Sequence, residues 1–152
     1  MTGKQNIIPI GSDHAGFELK SYLFKKLSEA GFLVKDFGTF NTESIDYPDY
    51  IHPVAQAIEK GEYPKGIIIC GSGQGANMTA NKYPNVRSAL CWDTTQASLS
   101  RQHNDANIIA FPGRFIDKDE ALKAVKIFME TDFEGGRHEV RVKKISDVRE
   151  IE

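Results

Sequence analysis

The chain of 152 residues has only two cysteines, Cys70 and Cys91. That is too few for the disulfide scaffolds of small secreted domains, so a reducing cytoplasm is the expected location. Nor is there an excess of one charge. Nineteen Lys and Arg stand against 21 Asp and Glu, and a net charge of -2 gives no global field to attract nucleic acid or anionic lipid. No apolar run approaches the roughly 18 residues of a membrane helix. Nothing at the N-terminus has the charged, apolar, small-residue order of a secretory signal, and no repeat or low-complexity tract breaks the chain. Nucleic-acid and membrane partners are therefore not expected, and any anion site must be local. With 40% hydrophobic and 26% charged residues the composition is that of a soluble globular protein, and the length suits one domain, since domains run to about 100 to 200 residues.

Short apolar runs alternate with longer amphipathic stretches. Ile7 to Ile10, Phe32 to Phe37, Gly66 to Cys70, Val86 to Trp92 and Asn107 to Phe111 read as strands, each ending near a glycine, proline or polar loop. Between them, Gly16 to Ala30, Tyr50 to Lys60, Ala76 to Asn81 and Thr94 to Gln102 carry helical spacing, and Gly31 stops the first of these. Asp117 can cap a last amphipathic helix, with Glu120 completing a capping-box pattern. Strands alternating with helices require parallel crossovers. The expected fold is a three-layer α/β/α sandwich around a five-stranded parallel, Rossmann-like sheet, with ligands bound beyond the C-terminal ends of the strands.

One of those ends is chemically unusual. Cys70-Gly71-Ser72-Gly73-Gln74-Gly75 sets a thiol before a glycine-rich turn into a helix, where backbone N–H groups favour a thiolate and offer donors to an oxyanion or phosphate. An inert buried thiol is the competing reading, and it is the one assigned to Cys91 inside its apolar run. Gly71, Gly73 and Ala76 also fit G-x-G-x-x-A with Asp93 about 20 residues on. A dinucleotide site is thus a rival, weakened because this is the third strand and no substrate domain remains.

His14 beside Asp13 occupies the first loop, and His103 lies in Arg101-Gln102-His103-Asn104-Asp105 just before the fifth strand. Two histidines with nearby carboxylates on one expected rim suit proton transfer near neutral pH. No H-x-x-x-H or C-x-x-C pair supplies zinc ligands, so no metal is expected. Arg137 and Arg141, four apart, project from one helical face that Lys144 extends, and Arg114 follows the fifth strand. Such forks suit a phosphate, whereas a solvated basic face is the commoner meaning of the spacing.

Taken together, Gly11-Ser12-Asp13-His14-Ala15-Gly16, Cys70-Gly71-Ser72-Gly73, Ser100-Arg101-Gln102-His103-Asn104-Asp105 and Glu134-Gly135-Gly136-Arg137-His138 closely resemble the type B ribose-5-phosphate isomerases, over nearly the whole chain. The wider family also includes allose-6-phosphate and galactose-6-phosphate isomerases. The resemblance implies one sugar-phosphate isomerase domain over residues 1–152, working as a homodimer with shared active sites, with pairing into tetramers left open. A C-terminal helix at about 137–149 would reach the partner subunit.

The implied reaction interconverts D-ribose 5-phosphate and D-ribulose 5-phosphate through an enediolate, within the pentose phosphate pathway and with no cofactor; allose 6-phosphate is the alternative substrate. The family's base is either a Cys at the position of Cys70 or a Glu at that of Ala76, and this chain has the Cys. The resemblance makes Cys70 the base, with Ser72 hydrogen-bonded nearby, and has His103, helped by Asp13, open the furanose ring. Gly71, Gly75 and Asn104 would hold enediolate and sugar oxygens, and Tyr47 would line the pocket. His14, Arg114, Arg137 and Arg141 would bind the phosphate, the last two from the opposite subunit. A Cys/His acyl hydrolase would explain the thiol but leave the paired arginines idle. A sugar-phosphate binding module would need the phosphate site but no poised Cys.

Overall fold

The computed structural model describes residues 7 to 150, so residues 1–6 and 151–152 of the expected domain lie outside the described residues. The elements are β1 (Ile7–Ser12), α1 (Phe17–Glu29), β2 (Leu33–Asp36), α2 (Pro48–Glu59), β3 (Gly66–Cys70), α3 (Gln74–Ala80), β4 (Ser88–Leu90), α4 (Thr94–Asn104), β5 (Ile108–Pro112), α5 (Lys118–Glu130) and α6 (Arg137–Ile145). The strands form one sheet in the order β2-β1-β3-β5-β4, with every pairing parallel. The α/β/α expectation holds.

Strand alternation explains the layers. In β3 the side chains of Ile67 and Ile69 enter a core with Leu23 and Leu27 of α1 and Val125 and Phe128 of α5. Ile68 and Cys70 face the other way, into a core with Ile51 and Val54 of α2 and Ala76 and Ala80 of α3. A strand buried on both faces reads as an unbroken apolar run, which is why Gly66–Cys70 is legible to the residue.

Several boundaries differ from expectation, each for a local reason. Helix α2 starts at Pro48, whose fixed φ suits the first helical turn. Helix α3 starts at Gln74 because Gly73, at φ +76, makes the turn that a side chain would resist. Strand β4 covers only Ser88–Leu90 and pairs on one side, with β5. Asp117 does cap α5, accepting from the N–H groups of Asp119 and Glu120. Glu120 does not close a capping box, since its carboxylate accepts from Thr94 N–H at 3.1 Å and caps α4 instead. The last helix ends at Ile145 rather than near residue 149; beyond it Val148 is 95% exposed and has no face to bury. The change with most consequence is at α4, which runs on to Asn104 and ends at Asp105 in the left-handed region, φ 49.

Candidate active site

The C-terminal edge of the sheet gathers the loops after β1, β3 and β5. Cys70 closes β3 at 5% exposure, and its sulfur accepts the N–H of Ala76 at 3.4 Å. That amide comes from the first turn of α3, so a donor meets the sulfur where negative charge would develop. Ser72 turns to its own loop, its hydroxyl accepting from Gln74 N–H at 3.3 Å, and among the described residues no hydrogen bond joins it to Cys70. The loops are tied together: Gly113 N–H donates to the Cys70 carbonyl at 2.9 Å, and Arg114 N–H to that of Gly71 at 3.0 Å.

Glycine is required here by what crosses it. A Cβ on Gly75 would stand 2.4 Å from Tyr47 Cζ, and one on Gly71 would stand 3.2 Å from Arg114 Nη1. Thus Tyr47 lies over the turn and the Arg114 guanidinium lies against its first glycine. From β1, Asp13 is 7% exposed; its carboxylate accepts Gly16 N–H at 2.9 Å and its N–H donates to the Ile69 carbonyl at 3.2 Å. Beside it His14 uses Nδ1 to accept the Ile45 N–H at 3.2 Å, which leaves Nε2 for a ligand. Asp13, His14, Tyr47, Cys70, Gly71, Ser72, Gly75 and Arg114 therefore share one edge.

His103, Asn104, Arg137 and Arg141 do not join them. Helix α4 runs antiparallel to the strands, so its last turn lies at the edge where β5 begins. Gly66 pairs with Ile108 and Cys70 with Pro112, and four strand steps of about 3.3 Å separate those ends by roughly 13 Å. The two histidines do not share a rim, and within one chain Asp13 cannot assist His103. The physical reason is chain polarity: a segment that follows a parallel strand lies at one edge, a segment that precedes one lies at the other.

The far edge has its own organisation. The rings of His103 and His138 stack with centroids 4.4 Å apart and planes 15° from parallel. Glu134 Oε1 lies 3.7 Å from Nε2 of each, and Glu134 N–H donates to the Gln102 carbonyl at 3.1 Å, docking this segment on α4. Gly135 and Gly136, both at positive φ, turn the chain into α6. There Arg137 and Arg141 are exposed, with Arg141 donating to the Arg137 carbonyl at 2.9 Å. Arg101, 7% exposed, ties the end of α4 to Asp105, Ala106 and Thr131. Glu134 and His138 are the partners that sequence reasoning missed. Their block was visible, but no spacing links residue 134 to residue 103.

Residues 8–145 match the Ribose/Galactose Isomerase family. The chain belongs to that family. It is 41% identical to ribose-5-phosphate isomerase B of Escherichia coli, covering 94% of this chain and 96% of that protein. A ribose 5-phosphate isomerase of Thermotoga maritima superposes with a TM-score of 0.91 at 46% identity, over 93% of this chain and 98% of that one. Ribose-5-phosphate isomerase B of Mycoplasma genitalium, solved with bound ribulose-5-phosphate, gives 0.88 at 39% identity, over 93% and 94%. Family membership removes the dinucleotide and acyl-hydrolase readings. No helix among the described residues is long and apolar enough to cross a membrane.

Titration marks one thiol and one histidine. Burial pushes the Cys91 thiol up to about 12, which keeps it a protonated packing group. Burial, then the Arg137 charge and His103, push His138 below its ordinary value of 6.5, with Glu134 opposing. Between the lowered and the ordinary value the unfolded chain binds a proton that the native chain refuses, so stability falls as pH falls through that window. His138→Phe should flatten that fall. The check is the urea midpoint of both proteins from roughly pH 7 to pH 5, and parallel curves would contradict the assignment.

Proposed function

We propose that this protein interconverts D-ribose 5-phosphate and D-ribulose 5-phosphate through an enediolate, within the pentose phosphate pathway of the cytoplasm. The observation that carries the reading is the end of β3. There a thiol meets an α3 amide under Tyr47 and beside Arg114, which is a base, a donor set and a phosphate contact at one edge. Family membership and the ribulose-5-phosphate complex of the Mycoplasma genitalium relative support a five-carbon substrate.

In the aldose direction, the furanose opens first to the free aldehyde. The Cys70 thiolate then takes the C2 proton, the C2–H electron pair forms the C1–C2 double bond, and negative charge settles on O1, where turn N–H groups and Asn104 donate to it. The thiol returns its proton to C1. The O2 hydroxyl loses its proton as the C2 carbonyl forms, and O1 gains one. No electron leaves the sugar.

The separation of the two edges supports a homodimer in which Cys70, Asp13, His14, Tyr47 and Arg114 of one subunit face His103, Asn104, Arg137 and Arg141 of the other. The large apolar side chains Phe40, Met78, Trp92 and Phe115, each more than half exposed, lie on segments following strands at the Cys70 edge, where a second copy would cover them. In this reading the described domain is one catalytic unit whose α6 reaches its partner.

An NMR time course in deuterium oxide, with ribose 5-phosphate, ribulose 5-phosphate and the six-carbon phosphates and no added metal, tests the function. Interconversion of the pentose phosphates with deuterium entering the transferred position is expected. Turnover of allose 6-phosphate alone would move the assignment to the alternative, and dependence on an added divalent ion would overturn the thiol mechanism. The shared site is tested by mixing Cys70→Ala with Arg137→Ala subunits. Arg137→Ala removes charged hydrogen bonds worth about 1.5 to 3 kcal/mol each, raising KM above all. Each heterodimer should regain one site with both residues intact, so after subunit exchange activity at substrate concentrations well below the raised KM should exceed that of either parent. Verified exchange without recovery would place each site in a single chain.

A further inference from the structure

The far edge holds more than the reaction above uses. His103 is 39% exposed at its side chain, and a half-exposed imidazole on the last turn of a helix is free to rotate unless something holds it. Two groups do. His138, 8% exposed on α6, lies flat against its ring, and Glu134 places one carboxylate oxygen at equal distances, 3.7 Å, from Nε2 of both rings. Glu134 is itself fixed by its N–H on the Gln102 carbonyl, next to His103 in the chain.

The ligand atoms of His103, Glu134 and His138 all lie within 4.8 Å of one another, close enough to suggest a metal centre. The stacking argues against it. An imidazole lone pair lies in the plane of its ring, and rings 15° from parallel with centroids 4.4 Å apart cannot both aim a lone pair at one ion. What the carboxylate offers both Nε2 atoms at 3.7 Å is a negative charge.

Resting on the isomerase reading, in which His103 opens the furanose, we infer that Glu134 and His138 are positioning residues that act through His103. The Glu134 carboxylate, 3.7 Å from Nε2 and so acting as a charge rather than as a hydrogen-bond acceptor, favours the tautomer of His103 that carries its proton on Nε2 and so leaves Nδ1 to exchange a proton with the sugar. Among the described residues no hydrogen bond occupies that nitrogen. His138 supplies a flat wall that stops the ring turning away. Burial and the Arg137 charge hold His138 toward its neutral form, so it neither repels a protonated His103 nor takes Glu134 from it.

The test compares kcat at saturating ribose 5-phosphate with kcat for consumption of ribulose 5-phosphate, in wild type, Glu134→Gln, His138→Ala and His138→Phe. A mispositioned ring-opening group slows the step from furanose to aldehyde, whereas ribulose 5-phosphate has no furanose and its aldehyde product can leave unclosed. Glu134→Gln and His138→Ala should therefore lose roughly tenfold on ribose 5-phosphate and less than about half that factor in the other direction. His138→Phe, which keeps the stacked ring without a titrating nitrogen, should restore most of the loss. Equal losses in both directions, an unaffected Glu134→Gln, or a His138→Phe no better than His138→Ala would each overturn the positioning role. A wild-type protein that isomerises neither pentose phosphate would overturn the isomerase reading instead.

Discussion

Cys70→Ser should fold, bind sugar phosphate and isomerise at least roughly a hundredfold more slowly, because a positioned general base contributes about 10² to 10⁴ in rate. The substitution is mild for the fold. Sulfur becomes oxygen at a site 5% exposed, and the Ala76 N–H that now meets Sγ keeps an oxygen to donate to, so that amide is not stranded. It is severe for the reaction. A thiol titrates within reach of neutral pH, near 8.5 in model peptides, whereas a serine hydroxyl does not, so the substitution removes the proposed base from the end of β3. In the proposed site the phosphate is bound by His14, Arg114 and the arginines of α6, which the change leaves in place, so KM should move far less than kcat. Deuterium exchange into the sugar should fall with kcat, since both report the same proton transfer. A serine variant with near-normal kcat would remove Cys70 as base.

Much of the Cys70 edge is legible from sequence because each of its residues follows a strand. The apolar runs Ile7 to Ile10 and Gly66 to Cys70 are unmistakable since both faces of β1 and β3 are covered, and Asp13, His14, Gly71, Ser72 and Gly75 come directly after them. Arg114 follows β5 in the same way. The far edge is harder, and His103 shows why. Its helix was expected to stop at Gln102, which made a loop residue of a residue in the last turn of α4.

The general rule was available, since a segment that precedes a strand of a parallel sheet lies at the edge opposite one that follows. The contacts of His103 were not available. Its neighbours Glu134 and His138 come from the segment after α5, which docks on the end of α4 through a backbone hydrogen bond to Gln102, and no periodicity encodes that docking. The same holds for Glu120, whose capping-box spacing is real but whose carboxylate serves α4, a helix 26 residues earlier.

His103→Ala should give a distinctive failure rather than a uniform loss. If His103 opens the furanose, the variant acts only on the small open-chain fraction of ribose 5-phosphate. Once that fraction is consumed, the rate is set by spontaneous ring opening in water, which no amount of enzyme accelerates. The rate on ribose 5-phosphate should therefore rise with enzyme concentration and then level off, while consumption of ribulose 5-phosphate stays proportional to enzyme throughout. Thermodynamics allows this difference, because the variant still brings ketose and free aldehyde to their proper equilibrium and fails only to hasten exchange between aldehyde and furanose. Loss of a packing contact would look different: it would lower the active fraction and scale both rates alike. His103 lies half-exposed at the end of α4, so its truncation opens no core cavity and stability should change by less than about 1 kcal/mol. A rate on ribose 5-phosphate that stays proportional to enzyme at every concentration, reduced by the same factor as the reverse reaction, would take ring opening away from His103.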